Sequence, residues 1–163
     1  GPGTSVHLRI ETLKLKANID VLIVPYRGSG DALNDLLPAN IHMMNEIVVF
    51  PHVKAGKLNL LAISHTERHW DFPDAPTLDE AGIKDAIVPI WFAMWAPVGT
   101  PNDIIDMLNK KIGEIARSDE MKARMRQLSV LVPYQTPEEI GRFLVDDLAA
   151  NFAVIKAANI KID

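Results

Sequence analysis

Short apolar runs alternate with amphipathic stretches through residues 1–90. The runs are typical of strands, and they fall at residues 21–24, 41–44, 58–63 and, with aromatic side chains, 89–96. The first run is continuous and closed by Pro25, which predicts a strand buried on both faces. Apolar residues at helical spacing predict helices from about Ser5 to Ala17, from Asp31 to Leu37 and from Ile47 to Ala55.

Local signals fix where several of these elements end. Asn18 is the expected end of the first helix, and Pro51 is expected to kink the third helix or delay its start before Gly56. Thr77 and Glu80 form a capping-box pattern that predicts a short helix ending at Gly82. Single helices between short strands predict an α/β fold with right-handed crossovers and a mostly parallel sheet.

The pattern changes beyond residue 100. Amphipathic stretches predict helices at Asn102 to Arg117, Glu120 to Leu128 and Glu138 to Ala158. Residues 130–132 are the single strand candidate among them, which is too little sheet to support three helices. We therefore expect residues 91–163 to pack on a lobe other than the one built by residues 1–90.

Composition narrows the functional class. The chain has 163 residues, 48% of them hydrophobic and 23% charged, with a net charge of −4 and no cysteine. Scattered Lys and Arg give no basic patch for nucleic acid, and the absence of cysteine excludes disulfides, Cys-ligated zinc and thiol catalysis. No apolar run approaches the roughly 20 residues needed to cross a bilayer.

Two turns are candidate anion sites. The opening stretch "GPGTSVHL" places Thr4, Ser5 and His7 at the start of the first helix, where backbone N–H groups can bind a carboxylate or the hydroxyls can simply cap the helix. The turn "YRGSG" follows the first strand, and it offers either an anion site or only a tight glycine turn. It lacks the third glycine and the lysine of a P-loop.

Other polar residues carry weaker signals. Asn45 follows the second strand and can hydrogen-bond a ligand at the same sheet edge, whereas Glu46 is explained as favouring a helix start. The stretch "HTERH" from His65 to His69 does not match a zinc motif, so no metal site is predicted. Ser5 and His7 do not face each other on a helix, and no catalytic residue or cofactor is predicted.

The sequence resembles the Bug family, the receptors of tripartite tricarboxylate transporters. "GPGTSVHL" is similar to the family's G-x-G-T-S-x-H-L, and "VPYRGSGDALNDLL" to V-P-Y-[KR]-G-S-x-x-A-L-x-D-L-L. "PHVKAGKLNLLAIS", "DAPTLDEAG", "WFAMWAPVGTP" and the terminal "KAANIKID" also match in the same order. The resemblance extends over essentially the whole chain.

The resemblance implies a type II periplasmic-binding-protein-like α/β fold, with two lobes and a carboxylate held between loops of both. It implies that residues 1–90 form most of the second lobe, and residues 91–163 a crossover strand and C-terminal helices of the first lobe. The rest of the first lobe and a signal peptide are then expected outside this sequence, with a periplasmic location.

The same resemblance implies the site. Thr4, Ser5 and His7 match the family's ligand-loop motif, and Tyr26, Gly28 and Ser29 match its second loop. This chain has Met44-Asn45 where the family commonly has Phe-Asp, so a partner for a ligand ammonium is lost. A plain dicarboxylate or other organic acid is therefore expected in preference to an amino acid, with Asn45 at the site.

The resulting hypothesis is a non-enzymatic receptor that delivers a carboxylate to membrane transporter subunits, without nucleic acid and without a cofactor. An effector-sensing, LysR-like module of a transcription regulator is the alternative, and it requires a helix-turn-helix upstream. An enzyme acting on a phosphorylated or acyl substrate is a third. We also expect an apolar face on the C-terminal helices, which favours self-association, including a domain-swapped dimer.

Overall fold

A computed structural model describes residues 3–130 and 134–160 of the chain. Within them lie the helices α1 (Ser5–Ala17), α2 (Ser29–Leu36), α3 (Phe50–Lys54), α4 (Asn102–Arg117), α5 (Asp119–Gln127) and α6 (Pro137–Ala157), and a short 3-10 helix (Ile47–Val49) precedes α3. The hydrophobic pattern predicted each of these helices, with small shifts at their ends.

Local residues set the helix ends as expected. Asn18 adopts the left-handed conformation, with φ 50°, and its N–H bonds to the carbonyl of Lys14, which ends α1. Pro51 lies in the first turn of α3, so the α-helix begins late, after the 3-10 turn, and Gly56 with φ +69° follows its end.

The predicted strands do not form ladders within residues 3–130 and 134–160. One isolated parallel bridge joins Ile63 to Thr77, where Ile63 N–H donates to Pro76 O at 2.8 Å and Leu78 N–H donates to Ile63 O at 3.0 Å. Residues 21–24, 41–44 and 89–96 lie outside helices and carry no ladder pairing. Of the candidate strand 130–132, residues 131 and 132 lie outside the described part of the chain.

The expectation of burial on both faces at residues 21–24 is wrong. Val21 and Ile23 are half-buried, whereas Leu22 is 90% exposed and Val24 is also exposed. This alternation places one side of an extended segment inward, because successive side chains point to opposite sides. A continuous apolar run does not by itself distinguish one-sided from two-sided burial.

The capping box forms, but the short helix predicted after it does not. Thr77 N–H donates to Glu80 Oε2 at 2.8 Å, and Glu80 N–H donates to Thr77 Oγ1 at 3.2 Å. Residues 78–82 make a turn that ends at Gly82, with φ +88°. Thr77 also pairs with Ile63, and Arg68 binds the Glu80 carboxylate. The turn is therefore bound to the segment that contains Ile63 and Arg68.

The chain divides into two compact units. One comprises the described residues of Gly1–Ile90 and Asn151–Asp163, and the other comprises the described residues of Trp91–Ala150. The buried apolar residues of the first unit are Leu8, Ala32, Val49, Ile63, Leu78, Ala86 and Val88. Among the described helices, none combines the length and apolar character needed to cross a membrane.

The aromatic segment at the start of the second unit is only partly anchored. Trp91 Nε1 donates to Asp147 Oδ2 of α6 at 3.1 Å, and its ring meets Phe143 edge to face at 6.1 Å. Phe92 and Trp95 are 95% and 74% exposed. These two aromatic side chains therefore lie at the surface of the unit.

A close contact in the second unit depends on glycine. Gly113 of α4 is buried beneath the ring of Tyr134, whose hydroxyl donates to Asn109 and whose face is covered by the Arg117 guanidinium at 4.6 Å. A Cβ atom at Gly113 would lie 2.6 Å from Tyr134 Cε2. The ring can move away from such a Cβ atom only by disturbing the bond to Asn109 and the contact with Arg117.

We expect Gly113→Ala to lower the free energy of unfolding by about 1–3 kcal/mol, the usual effect of overpacking. Gly141→Ala in α6 is the matched control, because no atom lies within 4 Å of a Cβ there. Alanine at position 141 should raise stability by about 0.5–1 kcal/mol, the ordinary helix preference over glycine. Urea unfolding of both variants measures the difference, and equal stabilisation by both would contradict this account.

Candidate functional site

The start of α1 has the features of an anion site. Thr4 precedes the helix in an extended conformation, and its hydroxyl accepts a bond from His7 N–H at 3.4 Å. Ser5 is exposed at the first helical position. Residues 5–8 contain no carboxylate, so the positive end of the helix dipole is not neutralised by its own first turn.

His7 is engaged within its own helix end. Its Nδ1 accepts a bond from Gly3 N–H at 3.0 Å, so in the neutral ring the proton resides on Nε2. Nε2 lies 3.6 Å from Glu11 Oε1, one turn further along α1. His7 therefore holds the opening loop against α1, and both of its ring nitrogens face residues of this segment.

The start of α2 lacks a side-chain cap. Gly28 occupies the cap position in an extended conformation, with φ −162° and ψ 166°, and it has no side chain to satisfy the first N–H groups. Ser29 is the first helical residue, and its hydroxyl donates to Glu46 Oε2. The amides of this turn therefore remain available to an anion.

Tyr26 contacts α2 rather than projecting from the turn. Its hydroxyl donates to Asp35 Oδ2 at 2.7 Å, and Asn40 Nδ2 donates to Asp35 Oδ1 at 3.1 Å. Hydrogen bonds from Asn40 and Tyr26 lower the pKa of Asp35, and the bond to Asp35 raises the pKa of Tyr26. Tyr26 thus fixes the turn that leads to Gly28.

Glu46 contacts a candidate site residue, a contact that the sequence did not predict. It precedes the 3-10 helix in an extended conformation, yet its carboxylate forms no capping bond there. The carboxylate instead reaches Ser29, 17 residues away in the chain, and Asn45 lies half-buried directly before it. Its place just after a predicted strand, beside Asn45, was the one signal in the sequence.

Arg9 of α1 bonds to Val88 and is also influenced by the charge of Glu46. Its Nε donates to Val88 O at 2.9 Å, and the residue is half-buried. Burial lowers the pKa of Arg9, whereas the negative charge of Glu46 raises it. Glu46 thus acts on Arg9 of α1 through its charge and on Ser29 of α2 through a hydrogen bond.

The histidines of the "HTERH" stretch have local roles. His65 Nδ1 accepts a bond from Glu67 N–H at 3.1 Å, and His69 Nδ1 accepts one from Asp71 N–H at 3.1 Å. His69 also packs on Phe50 and Trp70, with centroid distances of 4.9 and 4.0 Å. Over residues 3–130 and 134–160, no group of three acidic or histidine side chains lies close enough to hold a metal ion.

An open surface cavity of about 320 Å³ lies elsewhere in the first unit. It is lined by Leu60 and residues 71–76. None of the residues predicted to bind ligand contributes to it.

Solved structures share the architecture of this chain. Rpa4515 from R. palustris, solved with adipate, is 29% identical, with a TM-score of 0.80 over 97% of this chain and 54% of that one. The periplasmic binding protein BugD is 30% identical, with a TM-score of 0.76 over 98% of this chain and 55% of its own. MatC from Rhodopseudomonas palustris, with bound malate, is 28% identical, with a TM-score of 0.75 over 94% and 54%.

These structural similarities define the fold class of the chain, which is the periplasmic-binding-protein fold expected from the sequence.

A sequence profile described as "Tripartite tricarboxylate transporter family receptor" matches residues 1–160. The chain belongs to this family, as its motifs predicted. Protein BugT of Bordetella pertussis is 30% identical over 162 residues, which are 98% of this chain and 50% of that protein. The chain therefore spans about half the length of such relatives.

We expect Tyr26→Phe to raise the pKa of Asp35 toward its ordinary value, because one of the two hydrogen bonds that favour the carboxylate is lost. The pKa of Asp35 is depressed in the folded protein, so its contribution to stability is present above the unfolded-state pKa and lost as pH falls through the folded-state pKa. NMR titration of the Asp35 carboxyl measures the change. Tyr134→Phe should leave this titration unaltered, and an unchanged pKa in Tyr26→Phe would show that the hydroxyl does not hold Asp35.

Proposed function

We propose that this chain forms the carboxylate-binding part of an extracytoplasmic solute receptor. It captures a di- or tricarboxylate, or a related organic acid, for a tripartite tricarboxylate-type transporter. The observation that carries the proposal is the likeness, over nearly the whole chain, to proteins solved with adipate and with malate. These two ligands differ in length and hydroxylation, so the chemistry they share is the carboxylate.

Backbone amides are the main donors in the proposed site. The first turns of α1 and α2 contain N–H groups without intrahelical partners, and a carboxylate is the kind of anion that such groups bind. Thr4 and Ser5 contribute at α1, and Gly28 and Ser29 contribute at α2.

The remaining predicted residues act less directly. His7 and Tyr26 hold the two turns in place through Gly3, Glu11 and Asp35. Asn45 lies next to Glu46 and completes the polar lining of the site. Of the residues proposed from the sequence, Thr4, Ser5, Gly28 and Ser29 are thus the ones that meet the ligand.

In the proposed receptor, residues 1–90 form most of the second lobe, and residues 91–163 form a crossover segment and helices of the first lobe. The receptor works in the periplasm, passes its ligand to transporter subunits in the membrane, and performs no chemical step. The family's description as transporter receptors supports this role, and so does the likeness to the periplasmic binding protein BugD.

Binding can be tested on the 163-residue chain by following its amide NMR spectrum during titration with adipate and with malate. We expect shifts at the amides of residues 4–7 and 28–30. Adipamide, the uncharged analogue of adipate, should cause none, because it offers no negative charge to the helix ends. Equal shifts with adipamide, or carboxylate shifts confined to other residues, would refute the proposed site.

A matched pair of variants at the start of α2 distinguishes the contribution of the Ser29 amide to binding from that of the Ser29 hydroxyl. Ser29→Pro removes both groups, and proline fits there because Gly28 is already extended. Ser29→Ala removes only the hydroxyl, which is already donated to Glu46. We expect Ser29→Pro to bind adipate at least about tenfold more weakly than Ser29→Ala, since a hydrogen bond to a charged group is lost. Equal affinities would mean that the Ser29 amide does not contact the ligand.

Self-association through the C-terminal helices is also part of the proposal. The apolar residues Ile104, Met107, Leu108 and Ile115 of α4 lie at helical spacing and are each about 40–50% exposed. On α6, Val145, Leu148 and Phe152 are more than half exposed. Apolar surfaces of this kind favour pairing between copies, and exchange of the C-terminal segment is one route to it.

We expect the chain to associate with increasing concentration in sedimentation velocity experiments. Leu108→Glu should shift the population toward monomer, because it places a charge in the apolar stripe of α4. Gln127→Glu adds the same charge at an exposed position of α5 and should leave association unaltered. A monomer at every concentration would rule out this part of the proposal.

A further inference from the structure

The loop of residues 64–76 contributes to a surface cavity that the proposed carboxylate site does not use. The cavity is open to solvent, has a volume of about 320 Å³ and is lined by Leu60 and residues 71–76. Most of these lining residues are apolar, and the two charged ones, Asp71 and Asp74, are both acidic. This volume lies at the lower end of the range of small-ligand sites, about 300–1,000 Å³, so it suits a single side chain better than an extended ligand.

Several contacts hold the wall of the cavity in place. Arg68 Nε donates to both carboxylate oxygens of Glu80, at 3.1 and 2.8 Å, and Arg68 Nη1 donates to Pro73 O at 2.9 Å. The ring of Phe72 packs edge to face on Phe50, with a centroid distance of 4.8 Å. A surface that is already ordered loses little conformational freedom when a partner binds to it.

A cation of the chain itself already binds at this wall. Lys54 Nζ lies 2.9 Å from Asp71 Oδ2 and 5.8 Å from the centre of the Phe72 ring. A carboxylate and the face of an aromatic ring both attract a positive charge. The contact of Lys54 with Asp71 and Phe72 therefore shows that the loop provides surroundings suited to a cation.

Asp74 lies in the same cavity, three residues further along the chain, and no cation binds it directly. Its carboxylate forms no hydrogen bond or ion pair with residues 3–130 or 134–160, and Arg68 acts on it only through its charge. The surroundings are also acidic, because residues 50–82 contain three Lys or Arg residues and five Asp or Glu residues. A positively charged group that enters the cavity therefore meets an exposed carboxylate in a negatively charged part of the surface.

We propose that this cavity is a docking site for a protein partner that inserts an arginine side chain. The guanidinium of arginine binds a carboxylate through two parallel hydrogen bonds and stacks on aromatic rings, so it matches a cavity that contains both Asp74 and Phe72. The apolar stem of the arginine can cover Leu60 and the prolines of the lining.

The docking site is distinct from the proposed carboxylate site. The residues at the starts of α1 and α2 do not line the cavity, so a docked partner and a bound carboxylate use different residues. The inference goes beyond the proposed function and does not depend on it.

The probe is the peptide acetyl-Gly-Arg-Gly-amide, added to the whole chain and followed by amide NMR. We expect saturable shifts at residues 71, 72, 74 and 75. The same peptide with citrulline in place of arginine has a similar shape but no charge, and it should bind about threefold to fivefold more weakly, the upper end of the effect of an exposed ion pair. Added salt should weaken binding of the arginine peptide and leave the citrulline peptide unaltered.

A matched pair of variants tests the role of Asp74. Asp74→Asn removes the charge with almost no change in shape, and it should weaken binding of the arginine peptide by the same factor as citrulline does. Asp79→Asn is the control, because Asp79 is also exposed and lies in the turn after Pro76 but does not line the cavity. Its binding should equal that of the wild-type chain. Circular dichroism and thermal melting establish that both variants are folded.

Three results would each overturn the docking site. They are shifts spread over other acidic parts of the surface, equal binding of the arginine and citrulline peptides, and equal affinities of the folded Asp74→Asn and Asp79→Asn variants. Because no carboxylate ligand is present in these titrations, such results would leave the proposed receptor function intact. Failure of the chain to bind adipate would conversely leave the docking site intact.

Discussion

The hydrogen bond from Ser29 to Glu46 is the contact on which the proposed site depends. It joins the first residue of α2 to a segment 17 residues further along the chain, and the charge of Glu46 also acts on Arg9 of α1. The bond also consumes the one hydroxyl proton at the start of α2. The amides of the turn, which have no side-chain cap, are then the donors that the proposed site offers to an anion.

In the proposed site, two residues of the family motifs hold the backbone of the two turns in place. His7 accepts from Gly3 and faces Glu11, and Tyr26 donates to Asp35. Such a division is physically sensible, because amide donors bind an anion well only when the turn that carries them is rigid before binding. A motif residue can therefore be required for binding although its own polar atoms are occupied elsewhere.

Several exposed apolar segments of the chain lack another surface that covers them. Segments such as residues 21–24 are extended and apolar but have no ladder partner among the described residues, and Leu22 is exposed as a result. The α4 stripe in the second unit likewise lies at the surface. Apolar side chains gain stability only when another surface covers them, so both regions are suited to contact with further polypeptide.

The sequence by itself determined the helices, their ends and the family, because each depends on neighbouring residues: Asn18 ends α1, Pro51 delays α3, and Thr77 and Glu80 close the same turn. The motif order likewise identified the receptor family. Only the tertiary structure decided that Glu46 bonds to Ser29, that Arg9 reaches Val88 across 79 residues, and that the short helix predicted after Thr77 is a turn anchored to Ile63. Contacts between distant segments depend on how the chain folds back on itself. Hydrophobic periodicity shows which face of an element is buried, but it does not show which distant residue lies against that face.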